Sequence, residues 1–221
     1  VSTFRLASMG AAEVRQRTEM VGFDDLEAAM EQGKGAIVVT GHFGNWEIGG
    51  ASLAARGIPL EVVAQRQRNP LFDEDLNRQR QALSMTVIER KEAPRRVLRA
   101  LRAGRTVAIV GDQNLRRGGV FVEFFGRQAS TARGAAVFAL RTGAPIFLGL
   151  VVRKEGFPQR YAVTLERVEF EPTGDMVADV RRLTEAHTTH LEARVREVPS
   201  QYFWQHRRWK TRPTGEGPGT A

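Results

Sequence analysis

His42 and Glu47 are the residues best placed to do chemistry, in the stretch Gly41-His42-Phe43-Gly44-Asn45-Trp46-Glu47. A histidine near neutral pKa can take a proton from a hydroxyl. A carboxylate on its far nitrogen fixes the tautomer and stabilises the imidazolium that forms. Glu47 follows about one and a half helical turns after His42, and the turn is expected to fold its carboxylate back onto the imidazole. A nucleophile is missing: there is no cysteine, and Ser52 lies roughly two turns past Asn45, a poor position for attack. The pair suits direct transfer to a substrate hydroxyl better than a covalent enzyme intermediate. On spacing alone, a capped helix with a buried histidine and a surface glutamate fits equally well.

The elements that must position these residues are legible as hydrophobic patterns. The apolar run 36–40 reads as a buried strand delivering His42, and 45–55 as the helix that follows, with Asn45 as its N-cap. Further strands are expected at 60–64, 85–88, 106–110, 146–152 and 161–168, the last as an edge strand antiparallel to its predecessor. Helices are expected at 3–17, 22–30 (capped by Asp24 or Asp25), 71–83, 94–101, 131–140 and 175–195. Together these predict one α/β domain with a mixed, mainly parallel sheet flanked by helices. The domain is expected over 1–213, with a helical part over 1–32 and a disordered Gly/Pro-rich tail over 214–221. Asp112 follows the 106–110 strand and is a second charged residue at a strand's C-terminal end, where open α/β sheets build sites. It is expected at the rim of the site, orienting a basic group or a loop. Phe121 lies in an apolar run, 120–126, that suits either the core or an acyl groove. Arg133 stands near a helix start that favours an anion. His187 and His190 read as packing or surface residues.

Composition bounds the rest. The 221 residues suffice for one substantial core. Without cysteine there are no disulfides or thiol metal sites, and the four histidines are scattered, so no metal is expected. The net charge of +8 points to nucleic acid, an anionic membrane or an acidic substrate. No nucleic-acid module is recognisable. The basic residues cluster near the site, at Arg66, Arg68, Arg116 and Arg117, favouring a phosphate-bearing lipid or an acidic protein partner. No signal peptide is recognisable in the 221 residues, and no apolar run among them is long enough to span a bilayer.

The Gly-His-Phe-Gly-Asn-Trp-Glu stretch resembles the His-x4-Glu form of the His-x4-Asp/Glu acyltransferase motif. More closely, it resembles the bacterial lipid A biosynthesis (lauroyl/myristoyl) acyltransferase family, which includes phosphatidylinositol mannoside acyltransferases. Three later blocks match in order: Asp112-Gln113, the phenylalanine-rich run ending Phe124-Phe125-Gly126 before Ala129-Ser130-Thr131, and Gln201-Tyr202-Phe203-Trp204-Gln205-His206-Arg207-Arg208. The resemblance covers about 33–213. It departs at Gln65, where relatives often carry arginine; Arg66 is the residue that could replace it.

The resemblance implies a glycerolipid-acyltransferase-like fold and O-acyl transfer from an acyl thioester, on acyl carrier protein or coenzyme A, to a hydroxyl of a membrane glycolipid. The carrier is a substrate, and no cofactor is implied. His42 would be the base, Glu47 its orienting carboxylate and Asp112 an accessory. Asn45, Arg66, Arg68, Gln113, Arg116, Arg117, Phe121, Arg133, His206 and Arg207 would contact substrate, with His206 in a structural or phosphate-contact role. Work at the cytoplasmic face of the inner membrane is implied, peripherally or through an N-terminal anchor. Such proteins usually carry an anchoring helix, and only about forty residues precede the histidine here. A hydrolase using the same dyad, and a non-catalytic binder of anionic lipid or nucleic acid, are the alternatives.

Overall fold

Continuous apolar sequence forms strands buried on both faces, and β2 (Ala36–Thr40) is the clearest case. Ile37 and Val39 join one core with Val97, Leu101, Ala136 and Leu183. Ala36 and Val38 join another with Leu26, Ile48, Ala51 and Leu53. Each buried Val, Ile or Leu side chain among these contributes about 1.5–3 kcal/mol relative to exposure, so β2 is stable only where helices cover both sides. The computed structural model describes residues 9–213.

Those residues form a single α/β domain around a mixed seven-stranded sheet. In chain order they run α1 (Ala11–Arg17), β1 (Thr18–Val21), α2 (Phe23–Glu31), β2, α3 (Trp46–Ala55), β3 (Leu60–Ala64), α4 (Pro70–Ala82), β4 (Thr86–Glu89), α5 (Ala93–Arg102), β5 (Thr106–Val110), β6 (Val120–Phe124), β7 (Arg127–Thr131), α6 (Gly134–Thr142), β8 (Ile146–Arg153), β9 (Tyr161–Arg167) and α7 (Met176–Glu197). The sheet order is β1-β9-β8-β2-β5-β3-β4. The β8–β9 pairing is antiparallel and the others are parallel.

Several expectations are corrected. Strand β9 is not an edge: β1 pairs on its outer side. β1 is four residues between two helical patterns, too short for its alternation to register. Of the helix expected over 3–17, residues 3–8 lie outside the described residues, as does the expected tail after Pro213. Helix α2 is entered through Gly22 at φ 77°, with no side-chain cap, rather than through Asp24 or Asp25. The 120–126 run and the start of the expected 131–140 helix are a separate antiparallel hairpin, β6–β7. Its two-residue turn, Phe125-Gly126, has positive φ at both positions (53° and 71°), as primed hairpin turns require. α6 therefore begins at Gly134.

His187 on α7 is buried. Burial, with like-charge repulsion from His190 and Arg208, holds its pKa down to about 4, against a weaker opposing backbone hydrogen bond. The unfolded chain regains the ordinary value near 6.5. Between those values the unfolded state binds the extra proton, so stability falls as pH falls from about 6.5 to about 4, by up to about 3 kcal/mol. His187→Gln should lose this component. Urea unfolding at pH 7 and pH 4.5 should show a smaller acid-induced drop in the variant than in the wild type.

Candidate active site

Two strand ends make the site. β2 and β5 are parallel neighbours in register, Thr40 opposite Val110. The Gly111 N–H donates to the Thr40 carbonyl at 2.9 Å, so the chain leaves both strands side by side. His42 and Asp112 each lie two residues past that matched pair and therefore meet.

Asp112 is buried directly behind the imidazole, not at the rim. One carboxylate oxygen lies 2.6 Å from His42 Nδ1, and the other accepts the His42 backbone N–H at 2.8 Å. Burial disfavours the charged carboxylate. The hydrogen bond and charge of His42, its backbone N–H and the Tyr202 hydroxyl outweigh that, holding Asp112 below the usual carboxylate range. An ionised Asp112 requires Nδ1 to carry the hydrogen, leaving Nε2 as the basic nitrogen. His42 lines a cleft of about 910 Å³, and the Gln113 amide nitrogen is 3.3 Å from Nε2. Trp46 packs edge-on against the imidazole at 4.7 Å.

Glu47 is not the partner of His42, which corrects the expected dyad. Its carboxylate receives two hydrogen bonds from Arg80 of α4, from Nε at 3.0 Å and Nη2 at 2.5 Å. The first turn of α3 carries Glu47 onto the buried side facing α4. Gly44 sets that entry. It has φ 56°, and a Cβ there would stand 1.6 Å from the Val151 carbonyl oxygen. Asn45 then caps α3 by accepting the Ile48 N–H at 3.2 Å. A His–Glu pair does exist elsewhere, His190 with Glu166 at 3.9 Å, away from the residues lining the cleft. Breaking a buried ion pair leaves an uncompensated charge and costs about 3 kcal/mol. Glu47→Gln is therefore expected to lower unfolding free energy by about that amount, read by chemical denaturation. No loss would mean that Arg80 finds full compensation elsewhere, for example from Asn77 at 3.3 Å.

The remaining expected site residues divide. Asn45, Gln113, Arg66 and Arg68 line the cleft. The basic loop is held by Asn69, which caps α4 by accepting the Leu71 and Phe72 N–H groups, with Pro70 at the first helical position. Arg116 and Arg117 line an open recess that adjoins the cleft and shares Arg90, Asn114 and Leu115 with it. Phe121 sits in β6 opposite Ser130, outside the residues that line this cleft. Arg133 is the exposed N-cap residue of α6, whose neighbours Ala132, Gly134 and Ala135 reach the cleft instead. His206 accepts the Asn114 N–H on Nε2 at 2.8 Å, a structural bond. Burial, then Arg208 and His42, outweigh the attraction of Asp112 and lower the His206 pKa, in keeping with that neutral acceptor. Arg207 is exposed. Among the described residues no cluster of three or more His, Cys, Asp or Glu stands where a metal could be held.

Sequence reasoning missed Arg80 and Tyr202. Arg80 lay in a helical pattern with no motif to mark it. Tyr202 stood inside a motif whose histidine and arginines drew attention first.

A buried carboxylate behind a histidine, at the C-terminal ends of parallel strands and facing a large cleft, is an arrangement that can support general-base chemistry on an α/β scaffold. The model of the bacterial lipid A biosynthesis acyltransferase family matches residues 1–211, and the chain belongs to that family. It is 29% identical over 207 residues to the lipid A biosynthesis palmitoleoyltransferase of Escherichia coli (strain K12), covering 93% of this chain and 65% of that protein. It is 26% identical over 211 residues to the phosphatidylinositol mannoside acyltransferase of Mycolicibacterium smegmatis, covering 93% of this chain and 67% of that protein. A Mycobacterium tuberculosis (strain CDC 1551 / Oshkosh) phosphatidylinositol mannoside acyltransferase is 32% identical over 149 residues, covering 65% of this chain and 47% of that protein. The chain thus spans about two thirds of the first two relatives' length and about half of the third's. Among the described residues no helix is long and apolar enough to cross a membrane.

Proposed function

We propose that this chain catalyses O-acyl transfer from an acyl thioester to a hydroxyl of an anionic membrane glycolipid, with His42 as general base and Asp112, not Glu47, as its orienting carboxylate. The observation that carries this reading is the 2.6 Å contact between His42 Nδ1 and Asp112, with His42 and Gln113 on the wall of the cleft.

The acceptor hydroxyl gives its proton to His42 Nε2 as its oxygen attacks the thioester carbonyl carbon. The carbonyl oxygen becomes an oxyanion. When the tetrahedral intermediate collapses, the C–S bond breaks and the imidazolium returns the proton to the leaving thiolate. Asp112 stabilises the imidazolium between those steps. Arg80 is a buried cation on the cleft wall, fixed by Glu47. Its proposed role is to stabilise the developing oxyanion; one such donor is typically worth about 3 kcal/mol. Arg66, Arg68 and Arg90 at the cleft, with Arg116 and Arg117 beside it, would receive phosphates of the acceptor or an acidic carrier, and would favour an anionic membrane surface. Acyl carrier protein and acyl-coenzyme A both fit as donors. Family membership, together with a histidine paired to a buried carboxylate on the wall of a large cleft, supports transfer over simple binding.

The test is mass spectrometry of products from acyl-carrier and acyl-coenzyme A donors with a panel of glycolipid acceptors. An acylated glycolipid that forms only with a free acceptor hydroxyl is expected. Free fatty acid at a rate indifferent to acceptor would make the protein a hydrolase.

A further inference from the structure

Gln113 stands over the basic nitrogen of His42. Its amide nitrogen is 3.3 Å from Nε2, and both residues line the cleft. The residues on either side of Gln113 are fixed. Asp112 is buried, meets His42 Nδ1 with one oxygen and accepts the His42 backbone N–H with the other. Asn114 donates its backbone N–H to His206 at 2.8 Å and exchanges hydrogen bonds with Thr211 at 2.9 and 3.0 Å. Gln113 itself is exposed. The backbone is thus anchored one residue before it and one residue after it, and the side chain between turns toward the ring.

The rest of the imidazole is enclosed. Trp46 packs edge-on against it at 4.7 Å, and Phe203 lies tilted at 6.1 Å. Asp112 closes the Nδ1 side at 2.6 Å. The Gln113 amide therefore stands at the nitrogen that would take the proton. The tautomer selects the orientation of that amide. With the hydrogen on Nδ1, Nε2 holds a lone pair and accepts. The amide N–H donates to it, whereas the amide oxygen in that place would set two lone pairs against each other.

We propose that Gln113 caps the lone pair of the base in the resting protein, so that water does not use it and the acceptor hydroxyl displaces the amide to reach it. This rests on the reading of His42 as the base. An acyl thioester faces two oxygen nucleophiles, the acceptor hydroxyl and water. In the attack by water, Nε2 takes a proton as the C–O bond forms. The C–S bond then breaks and the proton passes to the leaving thiolate, releasing a free fatty acid and a thiol. A single water molecule brings no binding energy with which to displace the amide. A glycolipid is held by its other contacts in the cleft, and that binding offsets the loss of one neutral hydrogen bond. Excluding water from a reacting centre prevents such side reactions, and here one side chain does so at the base itself.

The test compares the wild type with Gln113→Ala, which removes the amide, and Gln113→Met, which keeps a similar length without a donor. The first readout needs no turnover. Diethyl pyrocarbonate reacts with accessible, unprotonated imidazole nitrogen, and peptide mass spectrometry resolves the rate at each histidine. His42 should react about fivefold faster in both variants, the factor that one neutral hydrogen bond supports. His190, whose side chain is 40% exposed, should react at one rate in all three proteins. The second readout is release of free palmitate from palmitoyl-coenzyme A and from palmitoyl-acyl carrier protein, without any glycolipid. It should also rise about fivefold in both variants, at melting temperatures close to wild type. An unchanged His42 rate or unchanged palmitate release would overturn the proposal. So would a rise confined to Gln113→Ala, since that is the result of removing bulk rather than a hydrogen bond. If no form of the protein cleaves either thioester, with or without glycolipid, the functional reading fails. The His42 rate then decides alone whether Gln113 covers Nε2, and an unchanged rate overturns it.

Discussion

Asp112→Asn is expected to lower acyl-transfer kcat by about 10³-fold, by analogy with the acid of a catalytic triad, with little change in KM or melting temperature. Asparagine has the same shape, and its carbonyl oxygen can still accept the His42 backbone N–H that Asp112 accepts at 2.8 Å. Its amide then faces His42 Nδ1, which the Asp112 oxygen now approaches at 2.6 Å. An amide N–H is a donor, so Nδ1 must become the acceptor and the ring hydrogen moves to Nε2. The nitrogen facing substrate then holds a proton and cannot take another. The buried negative charge that stabilises the imidazolium is lost as well. Steady-state kinetics beside thermal melting separate this from misfolding: turnover should collapse in a protein that still melts near the wild-type temperature.

His42→Ala is expected to reduce acyl transfer by about 10³-fold or more, within the range for loss of a positioned general base. The imidazole is only partly buried, 20% exposed at the side chain, and its neighbours Trp46 and Phe203 remain to close the space. The turn itself is held by backbone bonds, His42 carbonyl to Phe203 and Gly44 N–H to Gln201. The fold should therefore survive, although Asp112 loses its charge partner. Binding of donor and acceptor, measured by equilibrium titration, should change little. A non-catalytic lipid binder would keep its function in this variant.

The fold was largely legible because its central strands are buried on both faces. Continuous runs at 36–40, 106–110 and 146–152 have no other stable place. Strand order was not legible. β5 inserts between β2 and β3, and nothing local to either sequence specifies that neighbour. The same gap concealed the His42–Asp112 pairing. His42 and Asp112 could each be recognised as a charged or ionisable residue just past a strand. Their contact depends on the β2–β5 register, which joins residues 70 apart in sequence. Glu47 drew the assignment by being close in sequence. Entry through Gly44 and the first turn of α3 sends it to Arg80 instead. The C-terminal block was legible as a motif but not in its use: its conspicuous histidine accepts the Asn114 N–H, and its backbone pairs with the turn that carries His42.

The most direct test of which carboxylate orients His42 is the ratio of kcat values for Asp112→Asn and Glu47→Gln, measured in one acyl-transfer assay below both melting temperatures. Glu47 acts on the reaction only through Arg80, so Glu47→Gln should keep at least about tenfold more turnover than Asp112→Asn, a difference of one donor's worth of stabilisation against loss of the base's tautomer. A folded Asp112→Asn protein turning over near the wild-type rate while Glu47→Gln is inactive would contradict the account and restore Glu47 as the partner of His42.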